Sequence, residues 1–311
     1  MSSAGNPVAA TPAEAASRDF GRVLAQRERR FATLLLAPAF MALLLTTTFP
    51  LIFLVYTSVY RLDLAMPFTN GFIGLENYAV LLQDDRFWQS LVVSLVYTIS
   101  TVLLQVVVGL ALALFVMDMK RGQGWFRLIA ILPVVLSPAV VGMIWRTFML
   151  APEFGIVDYL AITAGLGSKN WLGDPTLAMV SVVIIHTWQW TPFAFMVLLA
   201  SLAALPDDIY EAARIDRASA WQRFRRITLP LLRPAIVMVI IMRTMVALTA
   251  FAAIFTVTGG GPGTATEILN LYAYRKSFTE LSIGYGSALA VALLIVTIII
   301  SAILFAMRRS K

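Results

Sequence analysis

The chain has 311 residues, is 59% hydrophobic and only 13% charged, and has a mean hydropathy of +0.83; a soluble domain carries about 25% charged residues. It therefore reads as an all-α integral membrane protein, since a bilayer core asks for about 20 apolar residues per helix. It has no Cys, which excludes a disulfide framework and a thiolate metal site, and its net charge of +7 sits in short loops, where it sets membrane orientation rather than marking a nucleic-acid partner.

Residues 1–30 are rich in Ala, Ser, Pro and Arg, and their first half reads as disordered. The apolar run Phe31–Val59 starts too late and is too long for an ordinary signal peptide, so it is the first span. A polar loop to Arg86 leads to a second helix, about Phe87–Met117, and the short basic turn Asp118–Gly124 leads to a third, about Trp125–Met149. A loop with Gly155, Gly165, Gly167, Gly173 and Pro175 precedes a fourth helix, about Thr176–Ala203. After a polar stretch over 204–234 comes a fifth helix, about Pro234–Val257, and then Thr258-Gly-Gly-Gly-Pro-Gly263 breaks the backbone. The sixth helix is about Gly284–Met307. The expected organisation is a cytoplasmic segment 1–30, a six-helix domain 31–307 and a cytoplasmic tail 308–311.

Six spans put both termini on one side. On that side lie 17 Lys and Arg, against 5 in the opposite loops (Arg61, Arg86, Lys169, Arg275 and Lys276), while Arg146 and Arg243 lie within helices. The positive-inside rule then orients the chain N-in and C-in. No internal repeat is evident, unlike in many secondary carriers. Small residues at Gly109/Ala113 and Gly286/Ala290 would let helices approach closely, a spacing common in any membrane helix.

The polar stretch 204–234 is longer than a turn requires. Pro206 followed by Asp207 and Asp208 marks a helix start, and Asp208 with Glu211 fits a capping box. Ile209, Ala212, Ala213 and Asp216 continue at helical spacing, Arg217, Trp221, Phe224 and Arg225 suggest a further amphipathic turn or two, and Pro230 and Pro234 are expected to stop the helix. One reading is an interfacial helix on anionic headgroups; the other is a dock for a soluble partner.

Glu211-Ala-Ala, Asp216 and Ala218, followed by Ile227-x-Leu229-Pro230, resemble the EAA loop of the permease subunits of binding-protein-dependent ABC importers. The resemblance implies that this loop forms a coupling helix, seated in a groove of a cytoplasmic ATPase, through Asp207, Asp208, Glu211, Ala212, Ala213, Asp216, Arg217 and Ala218. The family usually has Gly where this chain has Arg217, and an Arg there must be helical or strained. Phe72-Ile-Gly-Leu-Glu-Asn-Tyr78, Asp85-Arg-Phe-Trp88, Thr258-Gly-Gly-Gly-Pro262 and Gly284-x-Gly-Ser-Ala288 resemble the maltose/lactose-type first permease subunit, so the resemblance covers about 30–307.

Polar residues inside spans point to a solute path. Arg243 lies about ten residues into the fifth helix, where a charge costs about 2.5–3.5 kcal/mol on insertion scales, so it faces a cavity or partner, or else makes a structural ion pair or bonds backbone carbonyls. In the fourth helix Trp188 and Trp190 offer faces for sugar rings and Gln189 offers both a donor and an acceptor, unless these Trp are belt or packing residues; His186 is more simply a satisfied buried side chain. Pro192 would free a carbonyl and bend that helix toward a cavity. The resemblance places sugar-lining positions at Gln189, Trp190, Phe193, Arg243, Val246, Ala247 and Ala250.

The chain has no phosphate-binding loop of the Gly-x-x-x-x-Gly-Lys type, and its single His offers no metal cluster or Ser-His-acid set. The resemblance thus implies a transport subunit without cofactor or ATPase site, working with ATP and Mg on two partner ATPase subunits, a second permease, and a periplasmic or lipid-tethered binding protein. It implies a carbohydrate (di- or oligosaccharide, polyol or glycerol phosphate) and a bacterial inner membrane. The alternative is a self-sufficient carrier or channel for a small polar solute.

Overall fold

The computed structural model describes Phe31, Thr33 and residues 35–309. The segment 1–30 and residues 310–311, expected to be cytoplasmic, lie outside the described residues. The chain divides after Tyr56 into two units. Helix α1 (Leu35–Ser58) carries the described part of the first, and none of its apolar window is buried.

The second unit begins with a small outer layer: a two-stranded hairpin, β1 (Tyr60–Arg61) on β2 (Gly71–Phe72), and the short helix α2 (Glu76–Leu82). Helix α3 (Asp85–Asp118) follows, started by the Asp84 side chain, which accepts from the Arg86 amide at 2.9 Å. Its 34 residues measure about 51 Å, well beyond a hydrocarbon core of about 30 Å.

The expected single third span is broken. α4 (Gln123–Val135) and α5 (Pro138–Met149) meet at 97°. The cause is local: Pro138 pushes Ser137 out of the helical region, and Leu136 and Ser137 are extended with ψ 140° and 134°. α6 (Ile156–Thr163) lies in the following loop, and α7 (Pro175–Ala203) corresponds to the expected fourth helix, capped by Asp174, which accepts from Leu177 N. α7 runs as one helix through Pro192.

α8 (Asp207–Ile215) is the amphipathic helix of the polar stretch, and α9 (Ala220–Leu248) corresponds to the expected fifth helix. α9 starts fourteen residues earlier than expected and runs through Pro230 and Pro234. A π-helical turn at Phe224–Thr228 precedes them, the kind of local adjustment by which membrane helices tolerate the missing proline donor. The helix also ends early. The Thr249 hydroxyl bonds back to the Met245 and Val246 carbonyls, the Asn270 amide takes the Thr249 carbonyl, and the chain restarts as α10 (Ala252–Val257). Gly259, Gly260 and Gly263 all have positive φ in the glycine-rich turn, which only glycine adopts cheaply. α11 (Leu269–Tyr274) and α12 (Ile283–Arg309) complete the chain. Among the described residues five helices are long and apolar enough to cross a membrane, and the bent α4–α5 pair makes up to six.

The centre is the α3–α7 pair with α9 beside it. In lipid such contacts rest on close packing rather than on expulsion of water. Gly109 of α3 provides it: a Cβ there would come within 2.9 Å of Ala194 Cβ and of the Phe195 backbone nitrogen. Gly286 serves likewise, since a Cβ would strike Ser277. Around this centre Val106, Ala113, Phe195, Leu198 and Val239 form one apolar cluster, and Tyr97, Val182, Ile185, Ile254 and Leu271 a second.

The loop between α5 and α7 is organised by one carboxylate. Fully buried Asp158 accepts from Ser168 Oγ (2.6 Å), Lys169 N (2.8 Å), Glu153 N (2.7 Å) and Trp171 Nε1 (2.9 Å). The Ser168 hydroxyl first, then the Lys169, Glu153 and Trp171 donors, hold the Asp158 carboxyl below its ordinary range, against the opposing pull of burial. A depressed carboxyl stabilises the fold above its unfolded pKa of about 3.9 and loses that contribution only as pH falls from there through the folded value. Asp158→Asn should therefore lower the melting temperature of the solubilised protein by the same amount at pH 8 and at pH 5. A deficit that disappears at pH 5 would contradict this account.

Candidate functional site

A buried polar cluster joins α3, α7 and α9. Arg243, 2% exposed, donates from Nε to Gln105 Oε1 at 2.8 Å, and its Nη2 lies 3.2 Å from His186 Nε2. A guanidinium only donates, so His186 accepts through Nε2, which assigns its proton to Nδ1. Gln105 Nε2 reaches the His186 carbonyl at 3.4 Å, and the Tyr97 ring meets the imidazole edge-to-face at 5.3 Å. The guanidinium carbon lies 4.4 Å from the Trp190 ring centre and 5.9 Å from that of Phe193. A desolvated cation–aromatic contact of this kind is worth about 2 kcal/mol.

The structure thus brings Arg243, Trp190 and Phe193 together. Gln189 is fully buried but donates to the Leu136 carbonyl at 3.0 Å, at the α4–α5 bend, rather than to the Arg243 cluster. Its Oε1 and the Tyr97 hydroxyl have no hydrogen-bond partner among the described residues. Val246 is exposed, Ala247 is buried one turn from Arg243, and Ala250 lies beyond the end of α9 against the apolar cluster of Tyr97, Val182 and Ile254. Tyr97 and Gln105 escaped the reading of the sequence. The signal was present: Ser90, Ser94, Tyr97, Thr98, Thr101 and Gln105, all buried, recur at helical spacing along an otherwise apolar α3.

The second site is α8. Pro206, extended with ψ 129°, precedes it and makes no side-chain cap. The expected Asp208–Glu211 capping box is absent because Asp207 and Asp208 already lie inside the first turn, where their charge complements the helix dipole. The box occurs instead at the start of α9: Ser219 Oγ accepts from Gln222 N (3.2 Å) and Gln222 Oε1 accepts from Ser219 N (2.8 Å). Arg217 is left-handed, with φ 54°. Its N–H bonds the Arg214 carbonyl and that of Ala218 bonds Ala213, a Schellman ending that normally takes Gly. The Arg costs about 1–2 kcal/mol there. Asp207, Asp208, Glu211, Ala212, Asp216 and Arg217 are exposed, Ala218 is half-buried, and Ala213 is packed inward. Tyr210 and Thr228 share a hydroxyl–hydroxyl bond of 2.9 Å that ties α8 to α9.

A third cluster closes the opposite end. Buried Glu267 pairs with Arg86 (2.7 Å) and Arg275 (2.5 Å), and Arg275 also donates to the Gly259 carbonyl, fixing the glycine-rich turn. Asp84 accepts from the Tyr272 and Tyr285 hydroxyls. Burial raises the Asp84 carboxyl, but these two hydroxyls and the Arg86 and Phe87 amides outweigh it and hold the group below its usual range.

Several apolar spans with an amphipathic helix between two of them make this a multi-span membrane protein. Comparison with known proteins gives it a role in transport. Residues 105–310 match the family described as binding-protein-dependent transport system inner membrane component. The chain is 35% identical over 285 residues to the sulfoquinovosyl glycerol transport system permease protein SmoG of Agrobacterium fabrum, covering 91% of this chain and 92% of that one. It is 34% identical to the trehalose/maltose transport system permease protein MalF of Thermococcus litoralis, covering 86% and 90%. It shares its fold with a crystallised bacterial ABC transporter involved in alginate import, with a TM-score of 0.80 over 93% of this chain and 100% of that one at 23% identity. The chain belongs to the family of binding-protein-dependent transport system inner membrane components. It is a permease subunit of an ABC importer, a transport component without an ATPase site of its own.

Proposed function

We propose that this chain forms half of the translocation path of a carbohydrate importer in a bacterial cytoplasmic membrane. It crosses the membrane six times with both termini inside, counting the α4–α5 pair as one span. A second permease completes the path, and a periplasmic or lipid-tethered binding protein delivers the solute. Two ATPase subunits supply ATP and Mg chemistry, one of them docked on α8 through Asp207, Asp208, Glu211, Ala212, Ala213, Asp216, Arg217 and Ala218. The path runs past Gln189, Trp190, Phe193, Arg243, Val246, Ala247 and Ala250.

The observation that carries this reading is the Trp190 indole held against buried Arg243. A fixed aromatic face suits the C–H face of a sugar ring, and no apolar solute would need a cation behind it. The relatives' substrates, sulfoquinovosyl glycerol and trehalose/maltose, support the class. In proteoliposomes holding the full complex, uptake of a carbohydrate should need both ATP inside and binding protein outside. ATP-independent uptake by this chain alone would overturn the proposal. Orientation has its own check, convenient because the wild type has no Cys: a Cys at Phe68, 86% exposed, should label from outside in intact cells and one at Ser219 should not.

A further inference from the structure

We propose that the groove between α3, α4 and α7 binds an anionic phospholipid, with one acyl chain in the groove and the phosphate at Arg127. The groove has a volume of about 550 Å³, and its walls include Leu104 and Val108 of α3, Ile129 and Pro133 of α4, and Ile184 and Pro192 of α7. It lies on the far side of α7 from the candidate path. Ile184, Trp188, Thr191, Pro192 and Phe195 recur at helical spacing and face the groove, whereas Trp190 and Phe193, which face Arg243, project about half a turn away. That contrast rests on the path proposed above; the groove and its apolar walls do not.

The walls call for an apolar occupant, because a carbohydrate would lose its hydrogen bonds to water without replacement. Along α3 the groove runs from Leu104 to Leu112, about 12 Å. An extended acyl chain is narrow enough to lie along that length, between the α3 and α7 walls. At one end stands the turn joining α3 to α4. Arg127 follows the wall residue Phe126 directly and precedes the wall residue Ala130 by three. Its Nη2 donates to Gln123 Oε1 at 3.2 Å, but its Nε is buried without a partner. Lys120 and Arg121 on the same turn are exposed, with Asp118 the one acid there, and exposed Trp125 sits beside them as an interfacial anchor. A guanidinium next in sequence to the wall residue Phe126, with exposed Lys120 and Arg121 on the preceding turn, puts three cations at one end of an apolar groove between membrane helices, the chemistry that holds a phosphodiester headgroup.

The test is native mass spectrometry of the assembled complex released from nanodiscs of phosphatidylglycerol mixed equally with phosphatidylcholine. Wild type should retain phosphatidylglycerol preferentially. Arg127→Gln should reduce that preference about fivefold while still retaining lipid. Ile129→Trp, which fills the groove, should lose the retained lipid of either headgroup; if it fails to assemble, Val108→Phe on the facing helix repeats the test. Unchanged preference in Arg127→Gln, or unchanged retention in an assembled groove-filled variant, overturns the proposal. So does disulfide cross-linking of a Cys at Ile129 to a Cys on the second permease, which would show the groove covered by protein. None of these readouts depends on carbohydrate transport, so failure of the transport reading leaves them interpretable.

Discussion

Arg243→Ala should abolish solute-stimulated ATP hydrolysis in the reconstituted complex, and Trp190→Ala should reduce it at limiting solute. The two losses have different sizes because the residues stand in different places. Removing Arg243 leaves Gln105 Oε1 and His186 Nε2 buried without their donor, at about 1–3 kcal/mol for each orphaned group, and removes the support of the Trp190 ring. Removing Trp190 deletes the platform but leaves the Gln105–Arg243–His186 bonds in place. Trp190→Ala should therefore raise the solute concentration needed for half-maximal stimulation at least tenfold with unchanged maximal rate, whereas Arg243→Ala should lower the maximum itself. Arg243→Lys restores charge but not the fork, so it should rescue only partly. Measuring both parameters in complexes that elute intact decides the matter: equal, wild-type-like stimulation in both variants would move the solute elsewhere.

Glu211→Lys should uncouple the permease from its ATPase. Glu211 is exposed on α8, in line with Asp207 and Asp208 of the first turn. Glu211 is the fifth of the nine residues of α8, past the first turn over which the helix dipole acts, so reversal changes α8 itself little. The larger expected consequence is at the interface, where like charges in the wrong place cost several kcal/mol. The variant should insert normally, co-purify at least tenfold less ATPase and lose transport. Wild-type levels of both would return α8 to the other reading, a helix lying on anionic headgroups.

The long apolar runs and the motif over 211–230 were legible because hydropathy and a short polar pattern are local properties. What could not be read locally was where helices stop. Pro230 and Pro234 look like terminators and are not, because the backbone absorbs them after a π-helical turn; Pro138 looks no different and bends the chain by 97°. The end of α9 depends on Asn270, twenty-one residues away, taking the Thr249 carbonyl. In the candidate path Arg243 and Trp190 stood out by type and depth, but Gln105 and His186 matter through α3–α7–α9 packing, which no single helix encodes. Gln189 shows the converse: its chemistry suits a sugar, yet its amide is spent on the Leu136 carbonyl.

The early start of α9 has a mechanical meaning. From Ala220 to Arg243 the chain is one continuous helix, with a single π-helical turn at Phe224–Thr228, about 35 Å long, and at its N-terminal end α8 is fastened by the Schellman turn and the Tyr210–Thr228 bond. A helix transmits displacement along its axis far more stiffly than a loop does. A load placed on α8 would reach the guanidinium behind Trp190 along a helix rather than through a loop, so the ATPase dock and the solute path that we propose would be two ends of one strut.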